Sequence, residues 1–313
     1  MTNGQGPKVQ GLNGFGLEVP DLDVAQAFYS TFGLAPERNG EVLKLRSPGR
    51  ANDEAVIVKG RDKRLHHVSF AITPGSEQAF AEKLKAMGVQ VQEKAPAGGE
   101  RAGLWLQDPW GAWINLAPVA PQPVPLQPVP EYNLGGRGGR VDQHLWHGLN
   151  RDPKPLRLGH MLMFTPDFAK AEAWYTEALG LRTTDRAAGK VAFMAAGTGT
   201  IDHHCFGLIP GTHRGFQHAS FQMSTLDDIG FGAWRMVKAG YKETFGLGRH
   251  ALASNLFHYI RDPWGSWVEY YADMDKVTDQ WETREWNELP YIWGPEWSPE
   301  FWGKRMNGNF EPA

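Results

Sequence analysis

The sequence predicts an α+β fold built from tandem βαβββ modules, and three observations carry that prediction. First, the chain repeats itself. VPDLDVAQAFYSTFGL (19–34) returns as TPDFAKAEAWYTEALGL (165–181), LHHVSFAI (65–72) as FQHASFQM (216–223), and LQDPWGAWINLAP (106–118) as IRDPWGSWVEYYA (260–272). Three matches in one order at similar spacing mark an internal duplication, which has to be settled before any single element. Second, each half reads strand, helix, then several strands, twice over. Third, the 13 tryptophans and 37 glycines among 313 residues fit a β-rich protein with many tight turns and an aromatic-lined interior. A chain of this length has room for two domains of ordinary size.

Taken in order, QAFYSTF and AEAWYTEAL lie near the module starts, with EQAFAEKLKAMG and DIGFGAWRMVKAG further on. All four place apolar residues three and four apart, the helical spacing. The last two end in glycine, the usual stop. DPWG, present in both halves, is a tight turn, because proline presets φ and glycine supplies the conformation other residues resist. Its β-branched and aromatic flanks in the second half, LFHYI and WVEYY, predict a hairpin. Residues 1–118 are assigned to a first domain and 153–275 to a second. Between them, 119–152 is rich first in proline and then in glycine, the composition of a stiff connector that ends flexibly. The tail, 276–313, carries Trp281, Trp286, Trp293, Trp297 and Trp302 and belongs to neither repeat. Prolines and charges interrupt it too often for a regular strand, so it is expected to form a packing arm over the second domain or a neighbouring subunit.

The net charge of −3 is small and the basic residues are scattered, which argues against a nucleic-acid-binding face or a membrane-surface patch. No run approaches the length of a transmembrane helix, and MTNGQGPKVQ lacks the apolar centre of a signal peptide. The single cysteine, Cys205, has no partner for an internal disulfide, which fits a reducing cytoplasm. It is expected to be a small buried residue.

Duplication supplies a control within one chain. The second copy carries His160 in LGHMLMF, His218 in FQHASFQM and Glu269 in SWVEYY, where the first carries Gly14, His67 and Asn115. A structural role would be kept in both halves, whereas a single metal site needs only one. Strand alternation puts His160 with Leu162 and Phe164, His218 with Ser220 and Gln222, and Glu269 with Trp267 and Tyr271 on common faces. A carboxylate on so aromatic a strand is costly to bury without a partner. Two imidazoles and one carboxylate on one side of an ion form the facial set of non-haem Fe(II) oxygenases. Zinc with the same donors would be tetrahedral and suit hydrolysis, and the three residues alone do not separate the two.

These residues resemble the vicinal oxygen chelate superfamily, and within it the two-domain extradiol catechol dioxygenases. The resemblance runs from about Val9 to Ala272, with the second half closer in motif. It implies paired modules in each domain curling into an open-sided barrel, with His160, His218 and Glu269 as Fe(II) ligands, Mn(II) being the lesser expectation. DHHCFGL matches the family's strand whose second histidine, here His204, is the active-site acid–base residue. GRHALASNLFHYIRDPWG matches the signature whose histidine and tyrosine, here His250 and Tyr259, contact substrate oxygens. SNLFHYIRDP and the tryptophan-rich tail are most similar to the homoprotocatechuate 2,3-dioxygenase branch. In the pattern for carboxylated catechols an arginine precedes the signature histidine by five residues. Phe245 stands there instead, which points to a neutral diol or a trihydroxybenzene.

The implied reaction inserts both atoms of dioxygen beside an aromatic diol, with His204 stabilising reduced oxygen and later donating a proton, as a histidine can near neutral pH. His250 and Tyr259 would orient the diolate. His203, adjacent to His204 on a presumed strand, is expected to face outward, and His258 to point away from Tyr259. His66, His144, His147 and His213 are expected on the surface or in packing roles, and His67 is read as a relic. The resemblance favours a homo-oligomer, a tetramer, with small-molecule partners only. Two alternatives stand beside this reading: a Mn(II)- or Zn-dependent isomerase or lyase of the same superfamily, and a non-catalytic binding protein on the same scaffold.

Overall fold

A computed structural model describes residues 6–120, 122–125, 127–187, 189–287 and 291–296. In the first half, β1 (Gly11–Val19), α1 (Leu22–Phe32), β2 (Ala35–Asn39), β3 (Val42–Arg46) and β4 (Ala55–Lys59) form one βαβββ module. A second follows as β5 (Arg64–Ile72), α2 (Glu77–Ala86), β6 (Val91–Gln92), β7 (Leu104–Gln107) and β8 (Trp113–Pro118). The later half repeats this with β9 (Arg157–Thr165), α3 (Phe168–Leu179), β10 (Arg182–Ala187), β11 (Val191–Ala195), the two-residue β12 (Ile201–Asp202) and β13 (Phe206–Pro210). Its last module is β14 (Gly215–Gln222), α4 (Leu226–Lys238), β15 (Thr244–His250), β16 (Leu256–Arg261) and β17 (Trp267–Ala272).

The four helices fall where apolar spacing puts them. Asp21 caps α1 by accepting from the Asp23 and Val24 amides, and Asp167, its counterpart in the repeat, caps α3. Gly33 and Gly180 end these helices with positive φ, the left-handed exit that glycine takes without steric penalty. The strands form an eight-stranded sheet, β2-β3-β4-β1-β5-β8-β7-β6, and a larger sheet with β9 to β11, β13 and β14 to β17 at its centre. Neither closes into a barrel, so each keeps an open side. The mixed α+β architecture of repeated modules is thus the observed one.

The tail departs from expectation. It contributes β18 (Lys276–Val277), β19 (Arg284–Trp286) and β20 (Tyr291–Trp293), which pair with β12, β10 and β15 respectively. Two of these become the outer strands of the ten-stranded sheet. Three residues between proline and charge interruptions suffice, because an edge strand needs one hydrogen-bonding neighbour and little length. Trp297 and Trp302 lie outside the described residues.

One apolar cluster runs from Val9 to Ala272 through both halves. Phe15 stacks on Phe216 at 5.3 Å and Phe32 on Tyr270 at 4.0 Å between ring centroids, each pair joining the two halves. The Lys63 ammonium bonds both Asp262 and Ser266 inside the second DPWG turn, where all three are buried. A smaller cluster, with Leu162, Phe164, Phe245, Phe257 and Trp267, lines the other face of the second sheet. No helix among the described residues is long and apolar enough to cross a membrane.

Candidate metal centre and active site

Three neighbouring strands, β9, β14 and β17, build the centre. Ser220 on β14 is in register with His160 on one side and Glu269 on the other, so these three stand in a row across the sheet. His218 lies two residues earlier on β14 and faces the same way. His160 Nε2 is 3.1 Å and His218 Nε2 3.5 Å from Glu269 Oε2, and donor atoms of all three lie within 4.8 Å of one another. Metal–nitrogen bonds of about 2.1 Å at right angles would place neighbouring donors roughly 3 Å apart. The donor set therefore fits a divalent first-row cation in type, and both imidazole-to-carboxylate distances lie near that spacing.

Electrostatics leaves His218 and Glu269 in the protonation states a cation needs. Burial pushes the His218 imidazole down to about 3, outweighing the nearby Glu269 charge, so its lone pair is free of a proton at neutral pH. Burial alone would raise the Glu269 carboxyl. Hydrogen bonds from His160 and His250, with the charges of His160 and His218, outweigh it and hold the acid well below the ordinary carboxylate range. Ser220 donates to Glu269 Oε2, and Asn255 Nδ2 approaches Oε1 at 3.5 Å. A β-bulge between Phe216 and His218 brings Gln217 alongside, and His218 Nδ1 bonds its amide oxygen. That bond turns the opposite nitrogen toward the carboxylate, the usual service of an outer-shell partner.

The remaining predicted residues gather around the same point. Tyr259 on β16 is in register with Glu269, its ring 5.3 Å from that of His218. The His250 ring nitrogen is 3.2 Å from the Tyr259 hydroxyl and 3.8 Å from Glu269 Oε1. Burial, reinforced by the Glu269 charge, raises the Tyr259 phenol well above its usual value, so it remains a hydrogen-bond donor. His204 packs its ring 4.4 Å from His160 and is buried, which pushes its imidazole well down. Phe245 stacks on Phe257 at 5.7 Å, and Phe257 on His250 at 4.2 Å, forming an aromatic wall beside His250 and Tyr259.

His203 corrects the expectation. It does not face outward: residues 203–205 lie between β12 and β13 without regular strand structure, so alternation does not apply. Its ring is fully buried, with Nδ1 3.1 Å from His204 Nδ1 and Nε2 2.9 Å from Asp185. Sequence reasoning passed over Asp185, Asn255 and Gln217. Only Gln217, next to a candidate ligand, carried any local signal. His258 is buried next to Tyr259 in sequence, and Cys205 is partly buried, with burial raising its thiol to about 12.

Comparison with known proteins agrees with this geometry. Residues 157–270 match the Glyoxalase/Bleomycin resistance protein/Dioxygenase superfamily. The chain is 35% identical over 297 residues to metapyrocatechase 2 of Cupriavidus necator, covering 94% of this chain and 91% of that one. It is 24% identical to the manganese-dependent 2,3-dihydroxybiphenyl 1,2-dioxygenase of Geobacillus genomosp. 3, over 90% of this chain and 93% of that one. Its fold matches the anaerobic substrate complex of homoprotocatechuate 2,3-dioxygenase from Brevibacterium fuscum with a TM-score of 0.77 at 20% identity, covering 99% and 98% of the two chains. From the extent of these likenesses, the chain belongs to the glyoxalase/vicinal oxygen chelate superfamily, among relatives that include extradiol dioxygenases.

Proposed function

We propose that this protein is an extradiol ring-cleaving dioxygenase acting with Fe(II) and O2 on a catechol or trihydroxybenzene. The observation that carries the proposal is the convergence of two imidazoles and a carboxylate within 4.8 Å, with His204, His250 and Tyr259 gathered around them. Bound at His160, His218 and Glu269, the metal would acidify a chelating diol and bring it together with dioxygen. Around it, the chain's own groups have separate tasks. Tyr259, held as a phenol, donates to a ring oxygen, and His250 beside it fixes the orientation of the diol. His204, held neutral by burial, accepts a proton from a substrate hydroxyl at one ring nitrogen and later returns it to oxygen as the ring opens. Phe245 and Phe257 exclude water and favour a neutral ring substituent.

Iron is preferred because two histidines and one carboxylate on one face leave adjacent positions for substrate and dioxygen. Mn(II) is the second reading, supported by the manganese-dependent relative. We assign the centre to a catalytic domain at 153–275, with 1–118 a degenerate partner domain, 119–152 a linker and 276–313 a tail. A cytoplasmic homo-oligomer is proposed, on the single thiol and on the resemblance. The test is metal analysis, then oxygen uptake with a panel of substituted catechols and trihydroxybenzenes, with and without air. Oxygen-dependent formation of a visibly absorbing ring-opened product is expected. Turnover that proceeds equally without oxygen would instead support an isomerase or lyase. His204→Phe should keep its metal and slow turnover by about 10²–10⁴-fold.

A further inference from the structure

Behind His204 lies a buried polar chain that ligand chemistry does not require. Asp185 sits on β10 next to a register shift, and its Oδ2 is 2.9 Å from His203 Nε2. His203 Nδ1 in turn is 3.1 Å from His204 Nδ1. All three side chains are shielded from solvent, with Asp185 at 3%, His203 at 0% and His204 at 3% relative exposure. The tail covers the far end. Trp281 packs edge-on against His203 at 5.5 Å, and the Arg284 amide is 3.3 Å from Asp185 Oδ1. Among the described residues His204 Nε2 makes no hydrogen bond, while its ring lies against the ligand His160.

The donor logic has one direction when the carboxylate is ionised. A carboxylate only accepts, so His203 must carry its proton on Nε2 and offer a lone pair at Nδ1. That lone pair accepts from His204 Nδ1–H, which leaves the His204 Nε2 lone pair pointing away from the chain. The repeat has nothing comparable. Matching the bonds Phe15 N to Glu54 O and Met161 N to Cys205 O puts Asn52 and Asp53 where His203 and His204 stand.

We propose that Asp185 and His203 are positioning residues that fix the ring orientation and tautomer of His204, so that Nε2 is the nitrogen offered to substrate. This rests on the ring-cleavage reading for its catalytic consequence. When Nε2 takes a proton from a substrate hydroxyl, the resulting imidazolium keeps its Nδ1–H bond to His203. The Asp185 carboxylate, one ring further back, stabilises the charge until the proton returns to oxygen. No other bond is made or broken in the chain.

The test uses Asp185→Asn and Asp185→Glu in the full-length, metal-loaded protein. Long-range proton–nitrogen spectra of nitrogen-15-histidine-labelled protein carrying diamagnetic Zn(II) report the His204 tautomer independently of turnover. The expected result is an Nδ1–H tautomer at His204 in the parent protein and an Nε2–H or mixed population in Asp185→Asn. That variant should lose about 10- to 100-fold in kcat with unchanged KM and metal content, and Asp185→Glu should recover most of the loss. An unchanged His204 tautomer in Asp185→Asn overturns the proposal, as does a fall of kcat, metal content and melting temperature together. If the parent protein cleaves no diol, the ring-cleavage reading fails by itself, and the tautomer measurement alone supports or overturns the hydrogen-bonded chain.

Discussion

The two halves hold the same constellation of positions and fill it with different chemistry. Around Ser220 stand His160 and Glu269, and around Ser69, in the same registers, stand Gly14 and Asn115. His67 keeps its place, with its ring 5.2 Å from Trp105, much as His218 lies 5.3 Å from Tyr259. Counting back from each DPWG turn, Arg101 stands where Asn255 does. Asn255 is short and reaches Glu269. The longer Arg101 donates from Nε to His67 at 3.1 Å, and its Nη2 lies 2.9 Å from where a Gly14 side chain would begin. A guanidinium thus sits where the later half assembles its candidate donors, and burial pushes it down to about 10 against the pull of Asp53. The first half carries its cation covalently; the second is the half we propose binds one.

That contrast can be broken most forcefully by making the second half resemble the first. Glu269→Asn, His160→Ala or His218→Ala should each give folded protein whose metal affinity falls by more than about 100-fold, beyond what outer-shell changes cause. Elemental analysis with circular dichroism checks this, and full metal retention in all three would sink the site. Next in size, Arg101→Met should lower unfolding stability by about 1–3 kcal/mol, since His67 Nε2 loses its donor while Nδ1 keeps His66. Urea titration measures that loss, while metal content and kcat should stay at parent values. A loss of metal in this variant would mean that the first half does more than pack.

The smallest effect concerns His258, whose counterpart in the first half is Leu104. Burial pushes the His258 imidazole down to about 4. An unfolded histidine protonates near pH 6.5, so the unfolded chain binds its proton first as pH falls. Its contribution to stability is complete above that pH and is lost progressively toward pH 4. His258→Leu should remove about 2 kcal/mol of that loss between pH 6.5 and pH 5, flattening the stability profile over this window. Denaturant midpoints at the two pH values decide it.

Repetition made the module order readable, because each half carries a capped first helix and one DPWG turn. The faces of His160 and Glu269 were readable for the same reason as in any regular strand: alternation holds through β9 and β17. It failed at His203 and His204, where the chain leaves strand geometry between two short segments and both rings turn inward. Asp185 was illegible, being one polar residue in a polar run, RTTDRA, whose meaning comes from partners 18 and 99 residues away. The edge strands of the tail were hidden likewise, since their residues pair with distant segments rather than with their own neighbours.

Lys63 has a consequence for anyone wishing to trim this enzyme. Its ammonium belongs to the first half yet is lodged in the turn that joins the two strands carrying Tyr259 and Glu269. Cutting the chain at the connector would take away the Lys63 partner of Asp262 together with the Phe15–Phe216 and Phe32–Tyr270 ring contacts. The half that lacks the donor set is therefore a scaffold for the half that has it, and a minimal catalyst made of the latter alone would start with its central hairpin unpinned.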